Sequence, residues 1–172
     1  RPGSVGIAIP NTEAFVVDEN GNRVAPDVAG ELVIRGPHVM QGYWRNEAAT
    51  QRMLRPGPNA WEKVLYTGDL FKADKDGFLY FVGRKDDIIK TRGEKVAPKE
   101  VEAVLHMHPG VAEAVVVGLP DAVLGQAISA LVVLSDPALT EKDIIRHCAR
   151  HLEDFMVPKS IEFRSELPKT ET

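Results

Sequence analysis

Along residues 6–82 the apolar positions come in short runs broken by turn residues, a pattern of strands with tight connections. Residues 14–17 precede Asp18-Glu19-Asn20-Gly21-Asn22, a hairpin turn signal because Asn-Gly accepts positive φ. Residues 31–35 (Glu-Leu-Val-Ile-Arg) form a second β-rich run, closed by Gly36-Pro37. Phe71 and the run 78–82 flank Asp74-Lys75-Asp76-Gly77, another hairpin signal. Residues 47–54 are the single stretch in this half that predicts a helix. The expected product is a β-barrel-like or sheet subdomain over residues 1–84, not a complete domain.

After Arg84 the texture changes. Residues 88–90 and 94–96 are expected to pair across Thr91-Arg92-Gly93. Pro98 opens a helix with Val101, Val104, Leu105 and His108 at helical spacing, and Pro109-Gly110 stops it. Residues 111–118 and 127–134 are apolar β runs. Thr140 with Asp143 three residues on forms a capping box for a second helix reaching about residue 152, and residues 161–163 make a last short strand. The boundary falls at residues 84–86, and residues 85–172 read as a small α+β domain, so the fold class expected for the whole chain is α+β.

Composition narrows function only by exclusion. The 172 residues carry a formal net charge of -4, which supplies no global attraction to nucleic acid or to an anionic membrane. Cys148 is the only cysteine, so no intrachain disulfide and no cysteine-based zinc site is available. It lies in the stripe Ile144, Ile145, Cys148, Leu152 and reads as a small buried hydrophobe. No apolar run approaches the roughly 18 residues that span a bilayer, and a reducing, cytoplasmic setting is expected. The abrupt start at Arg1-Pro2-Gly3 and the stop at Lys169-Thr170-Glu171-Thr172 suggest an excised piece.

No P-loop, serine-histidine-acid set or zinc signature is present. His106-Met107-His108 places two imidazoles two apart, where helical side chains diverge, and a helix end is the simpler reading. Asp74, Asp76 and Gly77 lack the later ligands of a calcium loop. Three clusters remain: Gly42-Tyr43-Trp44, Tyr66-Thr67-Gly68-Asp69-Leu70, and the run from Gly83 through Gly93 to Pro98. Singly, each has a plain explanation. Asp69 beside Gly68 closes a turn, Arg84 serves as a surface ion-pair partner, and Tyr43 packs.

In this order and spacing the clusters resemble the adenylate-forming superfamily of acyl-CoA synthetases, peptide-synthetase adenylation domains and beetle luciferases. The likeness runs through Gly30-Glu31-Leu32, Gly36-Pro37, Gly42-Tyr43-Trp44 and Thr67-Gly68-Asp69-Leu70. It continues through Gly83-Arg84-Lys85-Asp86-Asp87-Ile88-Ile89-Lys90, Pro98-Lys99-Glu100-Val101-Glu102 and Gly118-Leu119-Pro120-Asp121. Leu167-Pro168-Lys169-Thr170 is similar to the lead-in to the family's C-terminal catalytic lysine, which would fall beyond Thr172. The resemblance implies that residues 1–84 close a large N-terminal AMP-binding domain and that residues 85–172 are its mobile C-terminal lid.

It also implies chemistry. A carboxylic acid attacks the α-phosphorus of ATP, with Mg2+, to give an acyl-adenylate, and a thiol, usually that of coenzyme A, then displaces AMP. Carried over by position, Asp69 and Arg84 bind the ribose of ATP or AMP, and Asp86 is the hinge. Lys90 approaches the acyl-adenylate, though a solvated strand lysine fits it equally. Gly93 and Lys95 meet coenzyme A, and no residue is assigned to a metal. The acceptor alternatives are free coenzyme A and a carrier-protein phosphopantetheine. The acid pocket and phosphate loop are expected in an upstream domain acting in cis, so the isolated chain is expected to be inactive or to act as a non-catalytic binding module. The residues 56–65 preceding Tyr66 depart from the family pattern as an unusually long approach loop.

Overall fold

A computed structural model describes residues 1–59 and 61–167. It divides into two compact units, Arg1–Asp86 and Asp87–Thr172. The lead-in residues Pro168, Lys169 and Thr170 lie outside the described set.

The first unit is built on one antiparallel sheet. Strands β1 (Glu13–Val17), β2 (Gly30–Arg35), β4 (Lys63–Ala73) and β3 (Leu54–Pro56) lie in that order, and β5 (Leu79–Arg84) also pairs with β4. Of the two forms expected, barrel or sheet, the described residues adopt the open sheet. Two small apolar clusters hold it, one around Val16, Leu32, Phe71 and Leu79, the other around Val17, Val33 and Val64. Helix α1 (Glu47–Met53) starts at Asn46, whose side chain accepts the Ala49 N–H.

The two ends of the expected approach loop, residue 56 and residues 63–65, belong to paired strands. Leu54, Arg55 and Pro56 pair with Leu65, Val64 and Lys63, which makes β4 the longest strand of this unit. Arg55 stacks its guanidinium 3.7 Å from the Tyr66 ring centre. The turn after β1 reverses the chain as expected, with Asp18 N–H donating to the Asn22 carbonyl at 2.9 Å. The returning segment makes only an isolated bridge, Val17 to Arg23; β1 takes β2 as its ladder partner instead.

In the second unit the strands run β10 (Ser160–Phe163), β9 (Gly125–Leu134), β6 (Ile89–Thr91), β7 (Glu94–Val96), with β8 (Val111–Asp121) on the other side of β9. Among the described strands only β10 runs parallel to β9. Helices α2 (Pro98–His106) and α3 (Glu141–His151) pack on this sheet and on each other, burying Val101, Leu105, Ile144 and Cys148 completely. Cys148 sits in that core, where burial pushes its thiol up to about 11, so it is no nucleophile at neutral pH. The Thr140–Asp143 capping box forms reciprocally. The β8–β9 hairpin extends through Pro120 and Asp121, further than the apolar runs alone indicate. No described helix is long and apolar enough to cross a membrane.

Candidate ribose site and acceptor-side hairpin

The first site is made by a defect in a strand. On β2, Leu32 alone stands opposite Thr67, Gly68 and Asp69, because Glu31 pairs with Leu70 while Val33 pairs with Tyr66. The excess chain bulges out of the ladder, which re-aims a side chain that a regular strand would align with its neighbours. Gly68 takes φ +72 in the bulge, a left-handed conformation that other L-residues adopt only with strain. Two side chains secure the backbone thrown out of register. Thr67 Oγ1 donates to the Leu32 carbonyl at 2.8 Å and accepts the Asp69 N–H at 3.1 Å. Glu31 Oε1 accepts the Gly68 N–H at 3.1 Å.

Across the β4–β5 pairing, Asp69 stands directly opposite Arg84. The structure thus brings together two residues fifteen apart in sequence by strand register alone. Arg84 Nε lies 3.1 Å from Asp69 Oδ1, close enough for an ion pair, yet the same oxygen is buried and receives no hydrogen bond among the described residues. The two statements are compatible, because proximity satisfies charge whereas a hydrogen bond also requires the N–H to aim at the lone pair. Arg84 is half exposed, so the pairing contributes little by itself. What it leaves is an acceptor oxygen held in place, beside a cation with donors to spare.

The second site is on the β6–β7 hairpin of the other unit. Ile89 and Thr91 are buried, so Lys90 between them projects to the outer face, where it stands opposite Lys95. Two like charges face to face weaken a hairpin. The pairing sets two lysine side chains side by side on one face of the hairpin. The Lys90 N–H donates to Gln126 Oε1 at 2.7 Å. The two-residue connection Arg92-Gly93 has φ +53 and +84, as hairpin turns of this length demand. A Cβ on Gly93 would meet nothing within 4 Å, so its backbone conformation is what requires glycine. Asp86 is the last residue of the first unit, in the 3-10 turn Lys85–Asp87. Tyr43, expected to pack, is 46% exposed. Among the described residues no cluster of three His, Cys, Asp or Glu side chains is arranged to hold a metal.

Sequence reasoning singled out Asp69 and Arg84 but passed over Glu31 and Lys85, which the structure joins at 2.7 Å. The available signal was a carboxylate inside the apolar run Glu-Leu-Val-Ile, where an exposed charge is unexpected.

Comparison with known proteins fits this geometry. A family described as "AMP-binding enzyme" matches residues 1–44, and the "AMP-binding enzyme C-terminal domain" matches residues 100–172. A long-chain-fatty-acid--CoA ligase of Salmonella typhimurium is 47% identical over 168 residues, covering 98% of this chain and 29% of its own length. Among solved structures, ATP-bound MatB from Rhodopseudomonas palustris superposes with a TM-score of 0.91 at 34% identity, over 99% of this chain and 33% of that one. The amide bond synthetase McbA from Marinactinospora thermotolerans does so with a TM-score of 0.84 at 35% identity, over 96% and 33%. The chain thus spans about a third of the length of the proteins it matches.

Proposed function

Because the chain belongs to the AMP-binding enzyme family, we propose that the whole protein is an AMP-forming acyl-CoA synthetase, of which this chain supplies the ribose site, the hinge and the acceptor-side hairpin. The observation that supports the reading is the Asp69 carboxylate set directly opposite Arg84 by the strand register, with Arg84 Nε 3.1 Å from its Oδ1. A carboxylate accepts from two adjacent hydroxyls at once, which a neutral side chain does less well. The vicinal hydroxyls of a ribose match that need, and Arg84 beside Asp69 would donate to the same part of the nucleotide.

In the proposed reaction the acid's carboxylate oxygen attacks the α-phosphorus of ATP, pyrophosphate leaves, and the acyl group is held as a mixed anhydride with AMP. The thiol of coenzyme A, as thiolate, then attacks the acyl carbon and AMP departs. Mg2+ would enter with ATP and offset the charge of its phosphates, and no described residue of this chain is assigned to hold it. Asp69 and Arg84 hold the nucleotide through both steps. Asp86, between the two units, is the position at which backbone torsions change between them. Lys90, Gly93 and Lys95 lie on the side that receives the thiol. The phosphate loop and acid pocket belong to the part of the whole protein beyond this chain. The name of the 47% identical relative makes a long-chain fatty acid the first substrate to try.

The test supplies the full-length enzyme with ATP, a panel of carboxylic acids and either free coenzyme A or a phosphopantetheinyl carrier protein. Thioester formation on free coenzyme A is the expected outcome. Failure of coenzyme A with every acid, alongside transfer to the carrier protein or to an amine, would overturn it. The 172-residue chain alone is expected to release no acid-dependent pyrophosphate.

A further inference from the structure

The geometry points to Glu31 as the positioning residue of the Asp69–Arg84 pair, holding the residue before Asp69 and the residue after Arg84 with its two carboxylate oxygens. This rests on the ribose reading of that pair. Glu31 is 8% exposed, on β2 at the centre of the sheet. Its Oε1 accepts the Gly68 N–H at 3.1 Å and its Oε2 accepts Lys85 Nζ at 2.7 Å. Gly68 directly precedes Asp69, and Lys85 directly follows Arg84.

The arrangement answers a specific difficulty. Asp69 sits in a bulge, and Arg84 is the last residue of β5. Neither is held by a full ladder on both sides. A bulged N–H without an acceptor would leave the turn free to refold toward a regular register, carrying Asp69 with it. A lysine just outside the last strand would let the end of β5 fray. One buried carboxylate removes both freedoms, and its charge makes the two hydrogen bonds stronger than neutral ones. A neutral acceptor at the same position would hold Gly68 but not Lys85. The lysine is also the last residue but one of the first unit, so Glu31 fixes the stationary end of the chain at the proposed hinge.

The test uses the 172-residue chain and the variants Glu31→Ala, Glu31→Gln and Asp69→Asn. Hydrogen exchange at the Gly68 amide and tryptic cleavage after Arg84 and Lys85 read the tie. AMP titration followed at the Asp69 amide and the Arg84 Nε–H reads its consequence. In Glu31→Ala, Gly68 exchange and cleavage accelerate on the order of tenfold, and AMP binding weakens in the protein that remains folded. In Glu31→Gln, Gly68 protection returns while cleavage after Lys85 stays fast. The tryptophans and tyrosines all lie in the first unit, so their fluorescence reports whether that unit is folded. Should the alanine variant unfold, the glutamine variant decides. Exchange and cleavage unchanged within about twofold, or a loss of stability with AMP affinity unchanged, would overturn the proposal. If AMP perturbs the unsubstituted chain and Asp69→Asn leaves that effect intact, the ribose reading fails while the exchange and cleavage results still judge the tie.

Discussion

Replacing Glu102 with alanine tests how the second unit is held together. Glu102 lies on α2, is 8% exposed, and accepts the buried Val116 N–H at 3.1 Å through Oε1. Strand β8 is an edge strand, and this bond satisfies a donor that no neighbouring strand reaches. The other oxygen pairs with Lys99 at 2.8 Å, but that lysine is 66% exposed, so screening reduces this contribution to about 0–1 kcal/mol. Stranding the Val116 N–H costs about 1–3 kcal/mol. The hydrogen bond therefore dominates, and a net loss of about 2 kcal/mol is expected. For a unit of this size that corresponds to roughly 10 °C in Tm. Ellipticity at 222 nm follows mainly α2 and α3, whereas the fluorescence of both tryptophans and all tyrosines follows the first unit. Glu102→Ala should lower the first transition and spare the second, and Glu102→Gln, which keeps an acceptor, should recover most of the loss. A shift below about 0.5 kcal/mol, or equal shifts for the two variants, would refute the assignment to the backbone hydrogen bond.

Three further outcomes are expected. The Lys159 ammonium, with the Leu124 and Val123 N–H groups, holds Asp121 down to about 2. A depressed carboxylate stabilises the fold above its ordinary value and loses that contribution as pH falls from 3.8 toward about 2; Asp121→Asn should flatten the acid unfolding curve in that window. Gly93→Ala places a Cβ at φ +84 with no clash, so it should cost about 1–2 kcal/mol through backbone strain, read as faster amide exchange in β6 and β7. In the full-length enzyme, Asp86→Ala should leave thioester formation measurable while Asp86→Pro should slow it severely, because proline freezes a torsion the proposed hinge must change; equal rates for the two variants would remove Asp86 from that role.

Much of the fold was legible because it is written in local chemistry. Thr140 with Asp143, Pro98 followed by helical apolar spacing, and the Asp74–Gly77 turn each specify an element from neighbours in sequence. The strands β3 and the first half of β4 were not legible, because Pro56 and Gly68 interrupt the alternation by which a strand is recognised. The same applies to the site. Asp69 and Arg84 stood out through motif spacing, whereas Glu31 serves two donors 37 and 54 residues away, a relation that only the sheet register creates. Gly93 was expected to meet coenzyme A; the structure adds that its turn conformation favours glycine regardless of any ligand.

The central claim is that the carboxylate of Asp69 receives the hydroxyls of a ribose. Nuclear magnetic resonance of the chain titrated with AMP and, separately, with 2′,3′-dideoxy-AMP tests it most directly. The account predicts that AMP perturbs the Asp69 amide and the Arg84 Nε–H and that the dideoxy analogue does not. Equal perturbation by both nucleotides, or AMP effects that bypass Asp69 and Arg84, would contradict it.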